Sequence, residues 1–248
     1  MSDRTPLEQL VGPADSQRLF AALRRGATRR DVLTMLLAGG MQAGLAGGLA
    51  GTALSAHAQT PKKGGRIRVA GATAAATDTL DPAKQSNQTD YSRGTMLYNG
   101  LTVLDGSLTP QPALAERFTT TDAKTWVFTL RKGVTFHDGK ALAPADVVYS
   151  VMRHKDPATS SKAKVLADQI ESVKATGPNE VTVVLSAPNA DLPVILGTFH
   201  FHIVKEGTTD FNAGIGTGPY KLKEFKPGVR SLVVRNDAYW KPGKPYLD

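Results

Sequence analysis

Fifteen of the sixteen aromatic residues lie beyond residue 58, Phe20 being the exception, so the first 58 positions have little from which to pack a core. The fold must be built by the remainder. At 41% hydrophobic and 21% charged, the 248-residue chain has the composition of a globular protein, not a fibrous or disordered one. Cysteine is absent, which excludes disulfides, thiolate zinc sites, cysteine nucleophiles and a lipidated N-terminal cysteine. The formal charge of +8 invites a nucleic-acid reading, but the bases fall singly or in pairs, with no basic helix or arginine-rich run. No nucleic-acid partner is expected.

The N-terminal stretch reads as a targeting segment. Thr28-Arg29-Arg30-Asp31-Val32-Leu33 sets an arginine pair before a run with no Lys, Arg, Asp or Glu between Asp31 and Lys62, and Ala56-His57-Ala58 offers small residues to a signal peptidase. It resembles a twin-arginine export signal, with Val32 where the usual pattern has Phe. Glycines 39, 40, 44, 47, 48 and 51 lower the hydrophobicity of the run, which suits such a signal. The alternative is an uncleaved membrane helix making the protein a membrane-anchored interaction module, since Gly40, Gly44 and Gly48 repeat at the helix-dimer spacing. Cleavage after Ala58 leaves Gln59–Asp248, with 24 bases and 18 acids, and implies the twin-arginine translocase as export partner and a periplasmic location.

Along the rest, Arg66–Ala70 alternates as a short strand, and Gly71–Thr79 reads as a loop closed by Leu80-Asp81-Pro82. A helix is expected from about Tyr91 to Asn99. Trp126, Phe128 and Leu130 share one face of a strand, expected to pair as a hairpin with Val134–His137, followed by an Asp138-Gly139 turn. Pro144 opens a helix with Val147, Val148, Val151 and Met152 on its apolar face, and Leu166, Ile170 and Val173 mark another by their spacing. Glu180–Ser186 reads as a strand, and Tyr220–Leu222 with Ser231–Arg235 as a hairpin. Hairpins mixed with separated helices indicate an α/β or α+β protein.

Chemistry is sparse. His200-Phe201-His202 would place two imidazoles on one face of a strand, the starting point for a metal-dependent hydrolase, but no third ligand stands at a recognisable spacing. His137-Asp138 would point to opposite faces, which leaves Asp138-Gly139 as a turn. Gly214-Ile215-Gly216-Thr217-Gly218 lacks the lysine and following helix of a phosphate loop, so its glycines are expected to let the backbone run close to another segment or a ligand. No catalytic residues, cofactor or metal are expected; the weight falls on binding.

Four stretches together resemble the extracytoplasmic solute-binding proteins of ABC transporters that serve dipeptides, oligopeptides and nickel, known as family 5. They are Gly64-Gly65 with Leu80-Asp81-Pro82; Leu97-Tyr98-Asn99-Gly100-Leu101 with Leu114-Ala115-Glu116; Trp126–Gly139 with Ala145-Asp146-Val147-Val148-Tyr149-Ser150; and Gly216–Tyr220 with Arg235–Trp240. The resemblance implies an α/β, periplasmic-binding-protein type II-like two-lobed fold that closes on its ligand. Of this fold, only the first lobe and its accessory subdomain are expected here. It divides the chain into a signal peptide (1–58), a first part of lobe I (59–106), an accessory subdomain (107–188) and a continuation of lobe I (189–248). Members are considerably longer, so a truncated receptor lacking the second lobe is expected, and with that lobe the acidic residue that typically meets a peptide's α-amino group. The partners implied are a peptide or similar solute and the permease subunits in the inner membrane. By position, the implied ligand contacts are Ala72, Thr73, Ala74 and Thr77 in the loop after the first strand, the Asn99-Gly100-Leu101 segment, and the Thr217-Gly218 turn.

Overall fold

The structure is a computed structural model that describes residue 21 and residues 61–248. The expected export motif Arg29-Arg30, the glycine repeat and the cleavage residues Ala56 and Ala58 lie outside the described residues. The chain divides into two units, Met1–Lys62 and Lys63–Asp248, and every element below belongs to the second.

A four-stranded antiparallel sheet dominates: β3 (Ala115–Thr120), β4 (Thr125–Leu130), β5 (Ile170–Gly177) and β6 (Glu180–Leu185), in the spatial order β3-β4-β6-β5. The alternation read in β4 is real. Trp126, Phe128 and Leu130 are buried, and the register sets Phe128 beside Val181 and Trp126 beside Val183. Burying side chains of this size contributes roughly 1.5–3 kcal/mol each. Helix α2 (Pro144–Met152) lies on β5 and β6 with Val147 and Val151 turned into the core. Its start is held by Asp146, whose carboxylate accepts from the amides of Ala143 and Glu206, both at 2.8 Å, and from Lys140.

Around this sheet lie α1 (Gln88–Leu97), α3 (Lys164–Asp168), α4 (Leu192–Ile195) and two small sheets, β1 (Thr102–Leu104) with β2 (Pro110–Pro112), and β7 (Tyr220–Lys226) with β8 (Arg230–Arg235). A second, smaller core joins Leu80, Leu97, Tyr98 and Val204 to Leu222, Phe225 and Val233. The expected α/β mixture and the second hairpin are present.

Three local expectations are corrected. Arg66–Ala70 forms no strand, because no described segment supplies a ladder partner. Val134–His137 does not pair with β4, whose two edges are already taken by β3 and β6; it folds back instead on residues 140–142 around Asp138-Gly139, with Phe136 N donating to Lys140 O and Leu142 N to Val134 O. The helix marked by Leu166, Ile170 and Val173 stops at Asp168, and Ile170 and Val173 are strand residues. Their three-residue spacing comes from a bulge between Ile170 and Ser172, which returns both side chains to the core face.

Candidate functional site

Two places carry the residues expected to meet a ligand. The first is the loop Ala72–Thr77, whose residues are all exposed. Below it lies a buried charge network. The Arg93 guanidinium reaches Asp78 at 2.7 Å and Asp90 at 3.0 Å, and its Nε donates to Ser231 of β8 at 2.7 Å. Asp78 also accepts from the amides of Ala75 (2.9 Å) and Gly228 (3.3 Å), so one carboxylate ties the loop to α1 and to the β7–β8 turn. Gly228 has φ +70°, and a Cβ there would come within 3.0 Å of the Ala75 backbone. Asn87 caps α1 by accepting from Asp90 N at 3.0 Å and bridges both carboxylates through Nδ2. Thr73 shares a 3.0 Å hydroxyl contact with Thr89 on the same first turn.

The electrostatics of the pair differ. Burial would push both carboxyls up; at Asp78 the Arg93 guanidinium and the two amides outweigh it and hold the group below its ordinary range, whereas at Asp90 burial prevails and its carboxyl is raised.

The second place is the end of α1. Gly218 N donates to Leu97 O at 2.9 Å, and Cβ atoms at Gly216 and Gly218 would fall 2.0 Å from Leu97 O and 2.4 Å from Leu97 C. The glycines of this loop therefore serve a close approach of backbone to backbone, the first of the two alternatives read from the sequence. Asn99 Oδ1 accepts from Thr217 Oγ1 (3.3 Å) and Trp240 Nε1 (3.0 Å), and Asn236 Nδ2 donates to Gly218 O (3.0 Å). The Arg131 guanidinium covers the Trp240 ring at 4.8 Å. The structure thus brings Asn99, Thr217 and Gly218 together. Leu101 is fully buried in the main core, and Gly100 packs between the carbonyls of Thr102 and Leu196.

His137 is the residue the sequence reading missed here. Its ring nitrogens lie 3.3 Å from Gly214 O and 3.1 Å from Gly218 O, Nδ1 lies 3.2 Å from Gly216 N, and its own amide donates to Gly216 O at 2.8 Å. One imidazole spans the whole glycine loop. Seventy-seven or more residues separate it from these partners, so no local pattern announces it. Burial lowers its pKa, which favours the neutral ring. Asp138 beside it turns the chain and pairs with Lys205, whose ammonium holds the carboxyl below its ordinary range.

The two histidines of the metal reading do not converge. They sit on a 3-10 turn, Phe199–Phe201, and its flank instead of a strand; His200 Nε2 lies 3.0 Å from Gln85 O, and His202 is partly buried, with its Nδ1 shut away from solvent and burial lowering its pKa to about 4. Among the described residues no three His, Asp or Glu side chains cluster as metal ligands.

Comparisons with known proteins agree with this architecture. The family model described as bacterial extracellular solute-binding proteins, family 5 Middle, matches residues 109–248. The glutathione-binding protein GsiB of Escherichia coli is 30% identical over 177 residues, covering 68% of this chain and 35% of that protein. The oligopeptide-binding protein AppA of Bacillus subtilis is 34% identical over 168 residues, 62% of this chain and 30% of that one. Among solved structures, AppA in complex with a nonapeptide matches with a TM-score of 0.66 and 26% identity over 76% of this chain and 40% of that chain. AgaA from A. tumefaciens in complex with agropinic acid matches with a TM-score of 0.63 and 28% identity over 68% and 36%. The fold is thus part of a periplasmic-binding-protein type II fold, and the chain spans about a third of the length of the curated relatives it matches. With more than half of its residues matched by that model, the chain belongs to the family 5 bacterial extracellular solute-binding proteins.

Proposed function

We propose that this chain is part of the substrate-capturing component of an ABC importer for peptides or peptide-like solutes. It binds its solute without transforming it and hands it to permease subunits in the inner membrane. The match of residues 109–248 to the family 5 model carries this reading. It is supported by relatives named for glutathione and oligopeptide binding and by the fold shared with a nonapeptide complex. Residues 59–106 and 189–248 are assigned to lobe I and residues 107–188 to its accessory subdomain. Ala72, Thr73, Ala74 and Thr77 offer exposed polar backbone to the ligand, and the Asn99-Gly100-Leu101 and Thr217-Gly218 segments, packed at the other end of α1, are assigned to its support. Photo-crosslinking with a benzophenone-bearing peptide library, read by mass spectrometry, tests it. Adducts in Ala72–Thr77 that unlabelled peptide competes away are expected, Thr217 and Gly218 being buried; scattered, uncompeted labelling overturns it.

The proposal extends to export. The family's description as extracellular supports export, and the Arg29-Arg30 motif with Ala56-His57-Ala58 assigns that export to the twin-arginine translocase, with cleavage after Ala58 into the periplasm. N-terminal sequencing of the periplasmic form is expected to begin at Gln59, and Arg29→Lys with Arg30→Lys to retain the protein in the cytoplasm. A membrane-bound form starting at the original N-terminus overturns this.

A further inference from the structure

One nitrogen of the His137 ring faces a donor and an acceptor at once. Nδ1 lies 3.2 Å from the amide nitrogen of Gly216 and 3.3 Å from the carbonyl oxygen of Gly214, while Nε2 lies 3.1 Å from Gly218 O. A carbonyl oxygen only accepts, so Nε2 must carry a proton to bond Gly218. In the neutral ring that leaves Nδ1 bare. It then accepts from the Gly216 amide and turns its lone pair toward the oxygen of Gly214. In the cation both nitrogens carry protons, so Nδ1 donates to Gly214 O and its hydrogen opposes that of Gly216.

Neither backbone group has another hydrogen-bond partner among the described residues, and Gly214 and Gly216 are both buried. Each protonation state therefore satisfies one of them and leaves the other unmatched. Two contacts hold in either state: His137 N donates to Gly216 O at 2.8 Å, and Nε2 to Gly218 O, which also accepts from Asn236. The charges acting on the ring are Lys221 of β7, whose Nζ donates to His137 O at 3.2 Å, and Asp138, itself paired with Lys205. Lys221 opposes a proton on the ring and Asp138 favours one, and burial moves the exchange below the ordinary histidine value. Tyr98, whose ring lies against Gly216, stays neutral because burial raises its phenol.

We propose that His137 is a proton-operated selector of the glycine loop: the neutral ring holds Gly216 by its amide, and the protonated ring releases that amide and takes Gly214 by its carbonyl. Gly218, bonded to Nε2 in both states, is the fixed end. Thr217 stands between the released residue and the fixed one and donates to Asn99 Oδ1, so the exchange reaches the segment that follows α1. The device concerns the loop backbone itself and does not rest on the solute-binding reading.

NMR on the isotope-labelled full chain, from about pH 7.5 to about 4.5, tests it. At the upper end the long-range proton–nitrogen pattern of the His137 ring is expected to show Nε2 protonated and Nδ1 bare. On acidification the Gly216 amide is expected to lose at least about ten-fold of its hydrogen-exchange protection, corrected for intrinsic pH dependence. The Gly214 carbonyl carbon is expected to move downfield, and both changes to share the midpoint of the His137 ring. His137→Gln, which cannot titrate, is expected to leave Gly214 and Gly216 insensitive to pH over this range. Should that variant fold poorly, the wild-type midpoints decide, read against those of His154, His200 and His202. A neutral ring with its proton on Nδ1 overturns the inference, as does a ring that titrates while Gly214 and Gly216 stay unmoved. Changes that follow another histidine's midpoint overturn it too, and so does a ring still neutral when the chain unfolds.

Discussion

Arg93 sits between two buried carboxylates, so its removal leaves two negative charges in a site that water cannot reach. Arg93→Met is expected to cost roughly 3–5 kcal/mol in denaturant unfolding, and hydrogen exchange at Ala72–Thr77 to rise because the loop loses its anchor. Gly216→Ala is expected to cost at least about 3 kcal/mol, since its Cβ would overlap Leu97 O and both partners are backbone. The sequence told part of this. Gly214–Gly218 announced a close approach without naming its partner. Asp90 and Arg93 stand three residues apart on α1, but Arg93's contacts to Asp78 and Ser231, and those of His137 to the glycine loop, carried no legible signal, because these partners lie in elements that only the fold brings near.

At the scale of elements, alternation was a reliable guide where a strand is flanked by partners on both sides, as β4 is. It failed where spacing alone had to separate helix from strand. Ile170 and Val173 obey a helical interval because a bulge resets the strand's facing, and nothing local distinguishes the two causes. A substitution pair separates them in solution. Ile170→Ala is expected to cost about 2–5 kcal/mol, whereas Leu166→Ala, on a half-exposed turn of α3, is expected to cost under about 1 kcal/mol. Equal losses at the two positions would mean that α3 continues through residue 173. Arg66–Ala70, which no described residue pairs, teaches a related lesson. Its pattern suits a strand, but a strand exists only where a neighbour completes the ladder.

For the molecule as a whole, acid sensitivity follows from its buried histidines. Burial holds His154 and His202 at about 4, and it lowers His137 and His200 as well. The folded state keeps these rings neutral, so their contribution is fully present above the unfolded value near 6.5 and is lost as pH falls toward 4. At pH 5 His154 and His202 each account for about 2 kcal/mol of lost stability. The melting temperature is expected to drop between pH 6.5 and 5, and His202→Leu to flatten that slope. Asp78, held low, adds a loss only as pH falls below the ordinary carboxylate range; Asp90, held high, adds stability just above that range, where the folded form takes up its proton before the unfolded one. A melting temperature constant from pH 7 to 5 would contradict the buried neutral rings.

The sequence by itself determined the composition class, the absence of cysteine chemistry, the β4 strand, the Asp138-Gly139 turn, the α2 helix and the family resemblance. These rest on local residue order, which propensity, periodicity and motif spacing express directly. The tertiary structure decided which strands pair, that the glycine loop packs on Leu97 under the clamp of His137, and that a buried Arg93 network anchors the exposed loop. Each of these depends on residues far apart in the chain meeting in space, where burial and close packing set the energies and no local pattern records the partner.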